Sequence, residues 1–212
     1  MKPMIPAHIA LALASLTLSA SVISAQMEDA AHMHAHHHMP ERTQHRAVDY
    51  KVPDVQLVRD DGKSISLAQE LNDGRPVVLN FIYTTCTTIC PVTSHTFSEL
   101  QEKLGNEREQ VHMVSISIDP EQDTPAVLAR YALKYGAGSQ WRFYTGTLEA
   151  SIAAQRAFDV YRGDKMDHGP VTFVRLAPGR PWLRIDGFAK SDELLLALHG
   201  TKSEEQMLPH AM

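Results

Sequence analysis

Cys86 and Cys90 stand in the stretch TTCTTICP, Thr84–Pro91, and are the only two cysteines in this 212-residue chain. The stretch lies between an apolar run, VVLNFIY from Val77 to Tyr83, and a helix signal that runs from Pro91 to Leu104. A helix start offers unpaired N–H groups and the positive end of the helix dipole, and both lower the pKa of a thiol placed there. The thiolate is the form that binds soft metals and attacks disulfides. Three intervening residues let the two sulfurs meet on one side of a loop or helical turn, close enough to share a soft cation or to form a disulfide. The spacing does not choose between these outcomes. A purely stapling disulfide, which an oxidising compartment would favour, gains little from so short a loop.

A second group of ligand-type residues precedes the first. From Met27 to Arg46 the chain reads MEDAAHMHAHHHMPERTQHR, which places His32, Met33, His34, His36, His37, His38 and Met39 close together without hydrophobic periodicity. Imidazole and thioether together suit copper in either oxidation state, with Met preferring Cu(I), so this segment reads as a disordered linker able to capture copper. An expression tag is the bland alternative, but only three of the histidines are consecutive and the segment follows a natural-looking leader.

These residues need elements to position them. Residues 1–25 carry one charge, Lys2, ahead of an apolar run from Ile9 to Ala25, and read as an export signal or an uncleaved N-terminal anchor. The chain is 43% hydrophobic and 21% charged, which suits one globular domain whose core needs no disulfide or metal staple. With Lys+Arg at 20 against Asp+Glu at 25, there is no basic stripe to neutralise phosphates, which argues against a nucleic-acid partner.

A globular domain is expected over 48–200, after the linker at 26–47 and before a flexible tail at 201–212. Asp60-Asp61-Gly62 joins two short strands, Val55–Val58 and Ser64–Leu67, as a hairpin. Val77–Tyr83 and Val111–Ile118 follow as buried strands, and Thr124-Pro125 caps a helix that reaches Tyr135. A strand at Trp141–Thr145, a helix at Leu148–Phe158, a hairpin of Val171–Ala177 with Trp182–Ile185, and a helix from Ser191 complete the pattern. This order predicts an α/β fold with a central mixed sheet flanked by helices, in a thioredoxin-like layout.

Two separated blocks, NFIYTTCTTICP and SISIDPEQDTPAVLARYA, resemble the Sco/SenC proteins of the thioredoxin superfamily. A third feature, Asp167-His168 just before a strand, is similar to the place where that family carries a histidine. The resemblance implies a thioredoxin core with an added N-terminal hairpin, and Cys86, Cys90 and His168 as copper ligands. It further implies a metallochaperone that delivers copper, as Cu(I) or Cu(II), to cytochrome c oxidase or prepares the cysteines of its copper centre. The implied partners are the copper-site subunit of that oxidase and other copper chaperones or thiol-disulfide oxidoreductases, met on the periplasmic side. Independently, two thiolates hold Cu(I) well, and one added imidazole accommodates Cu(II) while leaving a position open for transfer. The same three ligands could hold zinc, but no evident general base lies nearby and the His/Met linker favours copper.

The sequence departs from the family at Thr87-Thr88, where proline and an acidic residue are usual, and this puts partner recognition and redox potential in question. Gly169-Pro170 resembles the cis-proline loop of true thioredoxins, so Pro170 is a candidate cis proline shaping the site beside the cysteines. Asp119 ends a strand and reads either as a support for the site or, more simply, as the cap of the following turn. Met166 reads as a solvent-facing loop methionine, with a weak thioether contact to the metal as the alternative. His95 and His112 read as structural or exposed, and Trp141 and Trp182 as packing. Two rival functions remain open: a periplasmic thiol-disulfide oxidoreductase using Cys86 and Cys90, and a copper-buffering protein acting through the linker. A peroxidase reading fails for want of an arginine near Cys86.

Overall fold

The computed structural model describes residues 43–199. The leader, the segment carrying His32 to Met39 and the tail at 201–212 lie outside the described residues.

The described residues form eight strands: β1 (Gln44–Val48), β2 (Gln56–Arg59), β3 (Ser64–Ser66), β4 (Val77–Ile82), β5 (His112–Ser117), β6 (Trp141–Gly146), β7 (Val171–Arg175) and β8 (Trp182–Asp186). They make one mixed sheet in the order β1-β8-β7-β4-β5-β6-β2-β3. β4, β5 and β6 run parallel, while β7 pairs antiparallel with β4 and brings the C-terminal hairpin beside it. Five helices accompany the sheet: α1 (Leu67–Leu71), α2 (Ile89–Leu104), α3 (Pro125–Lys134), α4 (Leu148–Ala157) and α5 (Ser191–His199). Among the described residues no helix is long and apolar enough to cross a membrane.

Every residue of β4 is buried, as expected of a strand covered on both faces. Its one polar side chain, Asn80, accepts from Ser115 Oγ at 2.7 Å, and that hydroxyl accepts from Trp141 Nε1 at 3.0 Å. Trp141 in turn packs on Phe97 of α2, so Asn80 faces α2. Phe81, one residue on, must point to the other face. There it meets Phe158 and Phe173, and Phe158 also contacts Trp182 and Tyr50 with ring centroids 5.1 and 5.2 Å away. This second core supports the end of β4 from which the cysteine loop departs.

The Asp-Gly hairpin forms as expected, with Gly62 at φ +84° and its N–H donating to Arg59 O at 2.8 Å. Most element ends lie within two residues of expectation, and two of the differences have a plain physical cause. The strand expected over Ser64–Leu67 stops at Ser66, whose hydroxyl caps α1 by accepting from Gln69 N at 3.4 Å. A five-residue helix is too short to show a periodic signal. The first strand begins at Gln44 rather than at a boundary near Val48, because backbone pairing with β8 holds it while its side chains stay mostly exposed. Sequence hydrophobicity is blind to such an edge. Helices α3 and α4 start at threonine caps, Thr124 and Thr147, and the first has Pro125 at its first position.

Phe158→Ala should lower the free energy of unfolding by about 3–5 kcal/mol, since Phe158 is fully buried against four aromatic rings. The urea midpoint measures it; a loss under about 1 kcal/mol would mean the second core is not needed.

Candidate functional site

The site is built where β4 hands over to α2. Cys86 N donates to Tyr83 O at 3.2 Å, closing a turn directly after the strand. Beneath this turn lies Asp123, a carboxylate with no solvent exposure. Thr84 N donates to both of its oxygens at 3.2 Å, Thr84 Oγ1 donates to Oδ1 at 2.5 Å, and Ser117 Oγ donates to Oδ2 at 2.6 Å. Asp123 reaches this place because the Asp119-Pro120 turn folds back, with Asp123 N donating to Asp119 O at 2.9 Å. The carboxylate therefore ties the cysteine loop to the end of the neighbouring strand.

Helix α2 begins at Ile89, earlier than the expected Pro91, so that Cys90 sits in its first turn and is fully buried. Pro91 is tolerated because its missing N–H belongs to the turn that has no intrahelical partner. Thr88, at the cap position, makes no side-chain cap. The sulfur of Cys86 takes that role instead, accepting from Cys90 N at 3.4 Å. Both cysteines are free thiols, buried at the foot of the helix.

The two thiols are made unequal by this arrangement. For Cys86, burial works against the thiolate. The N–H groups of Cys90 and Thr88, the Cys90 thiol and the Tyr83 hydroxyl outweigh it and bring the pKa down to about 7. Burial pushes Cys90 far above the ordinary thiol range, and the neighbouring Cys86 and Asp123 reinforce the shift. Tyr83 rises to about 12, first through burial and then through the neighbouring Cys86.

His168 lies on the adjacent loop, 6% exposed, with Nε2 at 3.0 Å from Phe81 O. A carbonyl only accepts, so Nε2 carries the hydrogen and Nδ1 keeps the lone pair. Burial lowers the pKa of the ring and the charge of Arg162 adds to this, against the Phe81 bond, so the imidazole is neutral at pH 7. The pairing of Thr172 with Asn80 sets this loop beside the end of β4, at the same end of the sheet as the cysteines. Among the described residues no three His, Cys, Asp or Glu side chains gather closely enough to hold a metal. The structure thus assembles the cysteine pair and sets His168 on the neighbouring loop with its ring turned to Phe81.

Asp119 is not a side-chain cap: its backbone oxygen closes the turn, while its carboxylate pairs with Lys165 Nζ at 2.5 Å and so ties the His168 loop down. Asp119, Lys165 and His168 share the wall of an open cleft of about 500 Å³. The cis expectation for Pro170 is corrected, because the described residues contain no cis peptide bond. The trans chain leads directly into β7, and Pro170 O accepts from Gly187 N at 2.9 Å, which continues the hairpin past its last strand pair. His95 is exposed beside Glu99, and His112 is buried between Tyr144 and Asp73. Asp123 and Tyr83 were missed from sequence: one stood inside the Asp-Pro turn, the other counted as the last apolar residue of a strand.

Alkylation of Cys86 by iodoacetamide should rise about tenfold between pH 6 and pH 8, following its thiolate, while Cys90 stays unmodified. A flat profile, or a midpoint near the ordinary thiol value, would contradict the assigned helix-start environment.

The match to known proteins agrees with this geometry. A model of the SCO1/SenC family matches residues 43–200. An SCO1 protein homolog of Bacillus subtilis is 36% identical over 106 residues, 50% of this chain and 54% of that protein. The chain therefore spans about half the length of such curated relatives. The solved structure of BsSco, described as a member of the Sco family of cytochrome c oxidase assembly proteins with a disulfide switch, is 27% identical. It aligns over 77% of this chain and 98% of its own, with a TM-score of 0.61. Bradyrhizobium japonicum ScoI, solved with copper bound, is 24% identical, covers 68% of this chain and 95% of its own, and gives a TM-score of 0.59. The mixed sheet flanked by helices is their thioredoxin-like fold. With a family match that spans every described residue, the chain belongs to the SCO1/SenC family.

Proposed function

We propose that this chain carries copper on its cysteine pair and delivers it to, or prepares the cysteines of, the copper centre of cytochrome c oxidase. The observation that carries the reading is the unequal, unbridged pair, Cys86 near neutrality and Cys90 held protonated by burial. A relative of the same fold has been solved with copper bound, and another is described as an oxidase assembly protein.

The donors suit the cargo. Two thiolates favour Cu(I), and a neutral imidazole added to them accommodates Cu(II) as well. In this account the Cys86 thiolate is the first of the two thiols to bind the ion. Cys90 then gives up its proton to solvent, because the charge of a bound cation outweighs the cost of burying a thiolate. His168, its tautomer fixed by Phe81, offers Nδ1 as its loop draws toward the sulfurs. Three protein ligands leave a position for a partner thiol, and exchange of thiols passes the copper on. The segment from His32 to Met39 serves as a supply of copper, and residues 1–25 direct the chain to the periplasmic side.

The acidity split also supports a second reading, thiol-disulfide exchange without copper. Cys86 would attack a partner disulfide to form a mixed disulfide and release a partner thiol. Cys90, losing its proton, would then attack Cys86, leaving the partner as a dithiol and this chain as a Cys86–Cys90 disulfide.

Copper titration of reduced chain shortened to Glu41–Met212, which keeps β1, separates these readings. One tightly bound copper per chain is expected, with a thiolate-to-copper absorption in the Cu(II) form that Cys86→Ser abolishes and His168→Ala loses. Absence of copper bound to this unit would leave thiol exchange as the function.

A further inference from the structure

Tyr83 stands between two sulfur atoms. It is 6% exposed, its carbonyl accepts from Cys86 N at 3.2 Å in the turn that opens the cysteine loop, and its hydroxyl donates to Met166 Sδ at 3.6 Å. Met166 itself is 71% exposed, among the most exposed large apolar side chains of the described residues. Its main chain is not loose: Met166 N donates to Asp164 Oδ1 at 2.9 Å in a short 3-10 turn, Lys165–Asp167. The preceding residue, Lys165, is pinned to Asp119 at 2.5 Å and lies over the Tyr83 ring at 5.6 Å from its centroid. A soft, neutral thioether is therefore held in solvent at the mouth of the thiol pair, two residues before His168.

We propose that Met166 is a receiving ligand for Cu(I), which meets the incoming ion before Cys86 and Cys90 take it. This rests on the reading that the cysteine pair carries copper. A thioether needs no deprotonation and prefers Cu(I), so it can take the ion from solution without waiting on a thiol proton. Tyr83 couples the two sulfurs because a phenol has one hydrogen to give. When it turns to the Cys86 thiolate, the Met166 lone pairs are released to the metal. The transfer is an exchange of ligands with no change of oxidation state. The Cu–S bond to Met166 breaks as the bond to Cys90 forms, and the Cys90 proton leaves to solvent.

The test follows loading of full-length reduced chain from a Cu(I) chelate, under exclusion of oxygen, through the ultraviolet absorption of Cu(I)–thiolate bonds. That signal reports Cys86 and Cys90 and ignores copper held elsewhere. Met166→Leu keeps size and apolar character and removes only the thioether; its thermal midpoint should match the native chain, because the side chain is exposed. Loading should slow by about tenfold, the scale on which supporting groups act at metal sites, while the final copper per thiol pair is unchanged. In selenomethionine-labelled Cys90→Ser chain, where the transfer stops before the second thiol, X-ray absorption should show a copper–selenium neighbour that Met166→Leu diminishes. Loading of Met166→Leu at the native rate, with Cys86→Ser devoid of the thiolate signal, would overturn the role of Met166 and leave the copper reading intact. No thiolate signal in the native chain would overturn both.

Discussion

A carboxylate sealed from water is tolerable only when its charge is met by donors on every side, and Asp123 satisfies that condition by holding the cysteine loop. Its two oxygens take the N–H and hydroxyl of Thr84 and the hydroxyl of Ser117. Those donors come from the loop after β4 and from the end of β5, so one side chain locks together the two strands that bear the site. The loop's path, and with it the placing of Cys86 against the start of α2, follows from this anchor.

From that placement the chemistry follows without further devices. A sulfur in the position of a helix cap collects N–H groups that would otherwise be orphaned, and it ionises near neutral pH. One turn later the second sulfur is enclosed by α2 and the sheet, and stays protonated. The two sulfurs thus differ in readiness because Cys86 collects N–H groups while burial dominates at Cys90. Antiparallel pairing of β7 with β4 brings His168 to the same end of the sheet, and the Asp119–Lys165 pair fastens its loop.

Much of this was legible in the sequence, for identifiable reasons. Buried strands β4 and β5 announce themselves by continuous apolar runs, α3 by Thr124-Pro125, and the hairpin by Asp60-Asp61-Gly62. The cysteine pair stood out by spacing and by its position between a strand and a helix. What the sequence concealed was held by contacts without periodicity. The edge strand Gln44–Val48 is fixed by backbone pairing, α1 is a single capped turn, and Pro170 is trans, its carbonyl paired with Gly187 across the C-terminal hairpin. Asp123 looked like one more polar turn residue, since nothing local distinguishes a buried carboxylate from an exposed one. Tyr83 looked apolar, and its hydroxyl matters only once Met166 arrives from elsewhere in the chain.

The central claim is that copper is taken by two thiols of unequal acidity. Counting the protons released when Cu(I) binds, by calorimetry in buffers of different ionisation enthalpy, tests it most directly. At pH 7 a half-ionised Cys86 and a protonated Cys90 should release about 1.5 protons per copper, falling toward one near pH 8, with none from the neutral His168. Release of no protons, or of two protons independent of pH across this range, would contradict the account.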